Sequence, residues 1–379
     1  MKIEEFKCGR YLQQYQYESF SPTKVNEFWT WQDGKINTLL AEANRKLGAL
    51  DVFSLHVSEI DIFIEMHVAK EATKSSKIEG TQTEIEEALK KGSEIAPERK
   101  DDWQEVHNYI EAMNTSISKL KTLPLSTRLL KDAHKILMIG ARGEHKNPGE
   151  FRTSQNWIGG AALKDATFIP PVHTEVDELM SDMEKFLHND QLDVPVLMRA
   201  GIAHYQFETI HPFLDGNGRI GRLLITLYLV SSGLITKPSL YLSDYFEKHR
   251  QLYYDNLNNV RVKNDLAQWI KFFLVGIIET SEKGIDTFKA ILKLKEEIED
   301  KMLIQLGKKL PTAKTLIKYL FRKPVVTAND VQDELKVSLP TANSILSDFE
   351  RLGILNEKTG WKRNREFEFT DYLKLFKDN

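Results

Sequence analysis

An apolar helix runs without a break into a His-Pro-Phe start, a glycine-rich turn and a second apolar run, and this leaves the middle of the chain little freedom. Val196, Ala200, Ala203, Phe207 and Ile210 recur at helical spacing and predict a core helix that ends at His211. The string that follows is His211-Pro212-Phe213-Leu214-Asp215-Gly216-Asn217-Gly218-Arg219-Ile220-Gly221-Arg222, and residues 223–229 are apolar again apart from Thr226. It reads as a loop opening a buried helix. Gly216-Asn217-Gly218 lets successive backbone N–H groups converge on an anion, to which a helix N-terminus adds its positive dipole end. Arg219 and Arg222, three apart, project from one helix face beside the loop, and their guanidinium forks suit phosphate oxygens. Asp215 offers a hard oxygen to Mg²⁺. His211 can be a neutral base at cytoplasmic pH, since imidazole titrates near about 6.5. An ordinary turn with a solvated acid and two surface arginines does not account for the uninterrupted combination.

Composition narrows the setting. With 379 residues the chain is long enough for two or three domains and a well-buried core. Its 52 basic and 55 acidic residues leave a formal charge of −3, which points to neither nucleic acid nor membrane by itself. Cys8 is the single cysteine, which rules out an internal disulfide framework and suits a reducing compartment. The first residues lack the apolar region of a signal peptide, and no apolar stretch approaches the roughly 20 residues of a membrane span. The expectation is a cytoplasmic protein with no membrane partner. No Gly-x-x-x-x-Gly-Lys-Ser/Thr string occurs, so a P-loop ATPase is excluded, and no His/Cys/Asp/Glu group has zinc or two-metal spacing.

The His211–Arg222 string resembles the signature of the Fic (Fido) family, His-Pro-Phe-x-Asp/Glu-Gly-Asn-Gly-Arg-x-x-Arg, at every defined position. The resemblance implies a mainly α fold, a helical core with a β-hairpin flap, and transfer of AMP from ATP to a protein hydroxyl. On that analogy His211 is the general base, and Asp215 holds Mg²⁺ against the α- and β-phosphates. Gly216, Asn217 and Gly218 form the anion nest, while Arg219 and Arg222 grip the outer phosphates. The related Doc branch carries Lys where this chain has Gly218 and transfers phosphate, so the resemblance sides with adenylylation.

A second match lies upstream. Ser75-Ser76-Lys77-Ile78-Glu79-Gly80 fits the family's inhibitory motif, Ser/Thr-x-x-x-Glu-Gly/Asn. Residues 55–79 carry helical periodicity, Gly80 stands where a C-terminal cap belongs, and Ser75 and Glu79 share a face one turn apart. A carboxylate delivered to Arg222 would take the place of an outer phosphate. A third segment, from Pro148 through Asn156-Trp157-Ile158-Gly159-Gly160 to Phe168-Ile169-Pro170-Pro171, resembles the flap. In that role Ile158, Gly159, Gly160 and Ala161 touch the nucleotide, and the edge backbone aligns a target peptide as an added strand. The stretch around Tyr253 and Tyr254 resembles a family segment whose paired tyrosines border the adenine, although paired tyrosines on a helix also serve as half-buried core.

The chain divides into a helical N-terminal region with the inhibitory helix (1–100), a catalytic domain (101–290) and a domain of different rhythm (308–379). In the last, a helix over Thr315–Phe321, a helix framed by Thr327 and Asp330, and a third beginning at Ser338 precede two short strands near 354–355 and 367–369. That order is a winged helix. Lys358, Lys362, Arg363 and Arg365 could meet DNA phosphates, but the tail is nearly charge-balanced and Ser338–Ser347 carries no cation, so dimerisation or target docking stands beside DNA binding. The reading is an Mg²⁺- and ATP-dependent adenylyltransferase acting on Ser, Thr or Tyr of target proteins and of itself, braked by Glu79 and forming the homodimer its relatives suggest. Its rivals are removal of AMP using Glu79, and a nucleotide-sensing DNA-binding regulator.

Overall fold

The computed structural model describes residues 1–56, 60–140, 143, 145–361 and 365–377. The chain enters on an antiparallel hairpin, β1 (Gly9–Gln13) and β2 (Glu18–Pro22). It is pinned to the centre where Cys8 N donates to Asn264 Oδ1 at 2.9 Å and Phe20 N donates to Ile169 O at 2.9 Å. Helices α1 (Gly34–His56) and α2 (Ile60–Ile78) follow, then a four-residue turn of helix, α3 (Ile85–Ala88), and α4 (Lys100–Leu120) and α5 (Thr127–Leu137). Ser126 caps α5 by accepting from Leu129 N, as a short hydroxyl before an amphipathic run should.

The centre is α6 (Val176–His188), α7 (Val196–Ile210) and α8 (Asn217–Ser231). Apart from Val196 every residue of α7 is buried, so it is an interior helix, and polar side chains on it such as Arg199 and His204 are buried against main-chain oxygens. A 3-10 turn, His173–Glu175, leads into α6. Two shorter helices, α9 (Ser243–Lys248) and α10 (Arg250–Lys263), lead to α11 (Leu266–Glu296), which packs along α1 and closes the core. Trp269 of α11 donates to Gly201 O at 2.8 Å, and a Cβ on Gly201 would crowd Ile270 and Phe273 of the same helix at 3.1 Å. The charged run of residues 293–301 is the end of α11 and a wider helical turn, Glu297–Met302.

The C-terminal segment orders itself as α12 (Leu310–Arg322), β3 (Val325–Thr327), α13 (Ala328–Leu335), α14 (Leu339–Arg351), β4 (Asn356–Glu357), β5 (Glu366–Glu368) and α15 (Thr370–Lys374). Thr327 and Asp330 form the expected capping box, and Ser338 caps α14. The strands make one antiparallel sheet in the order β3-β5-β4. Strand β3 adds to the two strands expected, and the first of those starts later than 354–355, since Ile354 and Leu355 are buried in front of β4. Lys362 and Arg363 lie outside the described residues. Among the described residues no helix is long and apolar enough to cross a membrane.

Candidate functional site

α7 stops at His211 because its backbone turns left-handed there, φ 52° and ψ 60°, a conformation that costs a non-glycine residue on the order of 1 kcal/mol or more. Neighbouring side chains hold it in place. Arg152 Nε donates to His211 O at 3.0 Å and Asn156 Nδ2 to the same oxygen at 3.2 Å. Arg152, fully buried, also reaches Ser154 O, Pro171 O and Ile210 O, tying the loop to the segment beside it. Asn217 closes the turn from within: its Oδ1 accepts from Phe213 N and its Nδ2 donates to Phe213 O, both at 2.8 Å. The side chain of Asn217 therefore shapes the loop, while its backbone belongs to the first turn of α8.

Phe213 stacks on His134 of α5, with ring centroids 3.8 Å apart. Gly149 N donates to His134 Nδ1 at 2.9 Å, so Nε2 carries the proton and donates to Asp215 O at 3.1 Å. Burial drives the His134 pKa down to about 4, which keeps this neutral tautomer. Neither Arg152 nor His134 stood out in the sequence. A basic residue on a buried helix face is the only signal His134 offers, and an isolated Arg offers less.

The start of α8 is where an anion would sit, and it is taken. Gly216 caps the helix at φ 72°. Gly218 needs no special dihedral; it needs the absence of a side chain. A Cβ there would come within 2.1 Å of Glu79 Oε1 and 3.0 Å of Arg222 Nη1. Glu79, just past the end of α2, accepts from Arg222 Nη2 at 2.7 Å. Ser75 completes the hold, its hydroxyl accepting from Arg222 Nε at 2.8 Å and its carbonyl from Nη2 at 2.9 Å. Gly80 turns the chain away at φ 107°. Burial alone would raise the Glu79 pKa, but the guanidinium of Arg222, its hydrogen bond and Arg219 keep it below the ordinary glutamate value. Arg222 is 1% exposed; burial disfavours its charge, but Glu79 and the other acidic groups around it together keep its pKa above the ordinary arginine value.

Arg219, on the next turn back, is held by a different helix: its Nη1 donates to Glu105 Oε2 of α4 at 2.9 Å, and its Nη2 lies 4.0 Å from Asp215 Oδ1. Asp215 itself is 47% open and accepts from Gly216 N at 2.6 Å. Its outward oxygen is the kind of hard donor Mg²⁺ takes in ones or twos, leaving the remaining positions to water and substrate phosphate. No three-residue metal cluster occurs among the described residues, and a site of that sparse type does not need one.

The His211 ring has a buried Nδ1 without a partner. Burial first, then the charges of Arg261 and Arg152, push its pKa down to about 3, so the ring is neutral. Glu208 lies nearby with a buried, unpartnered Oε1, and burial raises its pKa to about 7. A Cβ on Gly221 would come within 2.2 Å of that oxygen. Gly218 and Gly221 thus each make room for a carboxyl.

The expected flap hairpin is reduced to one bridge, Ile158 to Phe168, with N–H···O distances of 2.8 and 3.1 Å. Gly159 and Gly160 both stand at φ 73°, which takes the chain out of strand geometry at once; together with Ala161 they are exposed on the tip. Arg261 stacks 3.9 Å above the Phe168 ring and fixes the flap root to α10. Tyr253 departs from the expected nucleotide contact: its ring is buried in the core and its OH meets His204 Nε2 at 2.8 Å. Tyr254 is 39% exposed beside it. The structure therefore brings His211, residues 215–222, Ser75 and Glu79 together, sets residues 158–161 on the flap tip and leaves Tyr253 inside.

Two stretches of the chain match known protein families. Residues 37–118 match the family described as Fic/DOC family N-terminal, and residues 124–229 match the Fic/DOC family. The protein adenylyltransferase Fic of Aedes aegypti is 34% identical over 142 residues, 37% of this chain and 25% of that protein. The one from Drosophila erecta is 29% identical over 192 residues, 48% and 34%. The chain thus spans about a quarter to a third of the length of these curated relatives. A Fic family protein from Desulfovibrio desulfuricans G20 superimposes with a TM-score of 0.57 at 21% identity, covering 89% of this chain and 96% of its own. A Fic domain containing signaling protein from Bacteroides thetaiotaomicron gives 0.52 at 17% identity, covering 66% and 96%. Both share the fold.

Proposed function

The chain belongs to the Fic/DOC family by its two matched regions, and from that premise we propose that it is a protein adenylyltransferase whose resting state is closed by Glu79. The observation that carries the reading is the Glu79 carboxylate lying over Gly218 at the start of α8 while it pairs with Arg222. That is an anion in an anion site, supplied by the protein itself. With Glu79 withdrawn, the N–H groups of Asn217 and Gly218 and the guanidinium of Arg222 are left to hold phosphate oxygens, Gly216 closes the turn by donating its N–H to Asp215, and Arg219 stands behind Asp215. Asp215 would hold Mg²⁺, whose charge neutralises phosphate oxygens as negative charge develops.

In the reaction a hydroxyl oxygen of Ser, Thr or Tyr attacks the α-phosphorus, the bond to the bridging oxygen breaks, and diphosphate leaves. His211 accepts the hydroxyl proton. Its depressed pKa suits a resting site walled by Arg261 and Arg152; a bound triphosphate beside it adds negative charge and raises the basicity of the ring. The flap tip, Ile158 to Ala161, borders the nucleotide in this reading, with Tyr254 at the rim.

The wider organisation follows the same proposal. Residues 1–100 carry the brake, 101–290 the chemistry, and 308–379 a winged helix, the last supported by the order of α12 to α14 and the β3-β5-β4 sheet. Cytoplasmic location and a homodimer complete it, with a target protein rather than DNA as the partner of the C-terminal domain, because α14 opens on a stretch with no cation.

Intact mass after incubation with ATP and Mg²⁺ tests the core claim. Glu79→Gly should gain about 329 Da, one AMP residue, and Glu79→Gly/His211→Ala should gain nothing while still binding ATP. Equal self-modification of the parent and Glu79→Gly would overturn the brake, and uptake by the double variant would overturn the base.

A further inference from the structure

α2 is a wall shared by two bodies. One face carries Ser75, which with Glu79 just beyond holds Arg222. Another carries Phe63 and His67, and these meet the C-terminal segment: Phe63 lies edge-on to Phe321 at 5.4 Å, and His67 lies 5.1 Å from the Phe376 ring. Both are buried by that contact and by their neighbours. Past Glu79 the chain is gripped again. Glu86 of α3 pairs with Lys377. Lys90 Nζ lies 2.8 Å from Glu366 Oε2 in β5, and Lys91 Nζ lies 2.8 Å from Asp330 Oδ1 in α13. Asp330 is itself fixed by Lys323 and by the capping box with Thr327. Together with Arg322 and Glu65 at 3.7 Å, the ion pairs described between the C-terminal segment and the rest of the chain all fall on residues 65–91.

Glu79 is thus bracketed. The helix before it and the strap after it, residues 84–91, are both fastened to one unit, the C-terminal segment, and between them lies the turn that Gly80 makes at φ 107°. We propose that the C-terminal domain is the latch of the brake. Docked on α2 and the strap, it keeps Glu79 seated on Arg222; lifted away, it lets the end of α2 and the strap move together and uncovers the nucleotide site. The latch rests on the reading of Glu79 as the brake. Its physical basis is a two-state element, the docked or undocked domain, whose equilibrium is linked to the position of one carboxylate. Pairing of the domain with a partner through the face that holds Lys90 and Lys91 would raise activity without touching the catalytic loop.

The test uses the full chain and reverses charge at the two pairs remote from the caps. Lys90→Glu/Lys377→Glu should raise the rate of AMP uptake, read by intact mass, about three- to tenfold, the scale of losing two partly exposed pairs. It should also speed amide exchange across residues 60–78, a readout that needs no catalysis. Adding Glu366→Lys and Glu86→Lys restores both pairs with the signs exchanged, and both readouts should return to the parent values; a merely misfolded variant would not be rescued. Unchanged uptake and exchange in Lys90→Glu/Lys377→Glu, with Glu79→Gly active in parallel, overturns the latch. If Glu79→Gly takes up no AMP, the adenylyltransferase reading fails, and exchange alone decides whether the domain restrains α2: unchanged exchange overturns that as well.

Discussion

Replacing Glu79 by Gln keeps the size of the side chain and removes its charge, which separates an electrostatic plug from a steric one. In the structure the carboxylate accepts from Arg222 at 2.7 Å and lies where a Cβ on Gly218 would be 2.1 Å away. Arg222 stays charged opposite either side chain, so the carboxamide keeps a charge-assisted hydrogen bond and gives up the ion-pair part of the hold, on the order of 1–1.5 kcal/mol. The Glu79 side chain is 35% open, and solvent screening trims this to about 1 kcal/mol. Apparent affinity scales with the fraction of molecules in the open state, so ATP should bind about fivefold more tightly to Glu79→Gln than to the parent. Glu79→Gly, which removes the plug as well as the charge, should exceed that. Calorimetric titration of ATP in a His211→Ala background measures the difference without turnover. Because Arg222 is 1% exposed, the ratio should change little between low and moderate salt. If Glu79→Gln binds ATP no better than the parent while Glu79→Gly does, the block is one of volume, and the electrostatic account is refuted.

Two further outcomes follow from buried polar groups. Arg152→Leu removes the donor of His211 O, Ser154 O, Pro171 O and Ile210 O together; it should destabilise the chain by about 3–5 kcal/mol, and a loss under about 1 kcal/mol in urea unfolding would deny Arg152 its role in holding the loop. Acid should also unfold the protein early: His67, His204 and His211 at about 3 and His134 at about 4 are kept neutral chiefly by burial, so their contribution is complete above about 6.5 and lost as pH falls towards those values. Glu71 and Glu208, raised by burial to about 7, oppose this between about 7 and 4.5, because there the fold keeps protons that the unfolded chain releases. Four groups against two leave a net two protons, a slope of up to roughly 2.7 kcal/mol per pH unit near pH 5.5, and a Tm that stays level from pH 7 to 5 would contradict it.

Local chemistry was legible in the sequence wherever a residue type is dictated by what it must do at its own position. Thr327 and Asp330 announce a helix start because the cap is made within one turn, and Ser338 does the same for α14. The strand β3 was not legible, since three residues, Val325–Thr327, become a strand only by pairing with Glu366–Glu368 much later in the chain. The flap failed in the other direction: alternation in Asn156–Ile158 promised strands, and the left-handed Gly159 and Gly160 cut them to a single bridge. Tyr253 carried an aromatic face fit for a purine, but the partner that fixes it, His204, sits on another helix, and nothing in either local sequence joins them. The same holds for Arg152, Asn156 and His134, whose hydrogen bonds go to main-chain oxygens and N–H groups of distant segments, and a backbone group has no signature in the sequence.

The site itself shows why its motif alone leaves open which anion it holds. Gly218 was identified as a position where backbone must approach an anion, and the structure gives it that use, with Glu79 as the anion. Arg222 was identified as a phosphate clamp, and it clamps a carboxylate. The residues that would receive a nucleotide and the residues that receive Glu79 are the same, because both present oxygen-borne negative charge to one helix start. A motif that selects for anions therefore cannot report which anion is bound. That information lay outside it, in the spacing of Ser75 and Glu79, one helical turn that lets a single side of α2 reach Arg222 three times. Whether the site stands open is then, on the proposed latch, a matter of how firmly α2 is held, and the groups that hold it, from Phe63 to Lys91, lie between the candidate site and the C-terminal segment rather than in either motif.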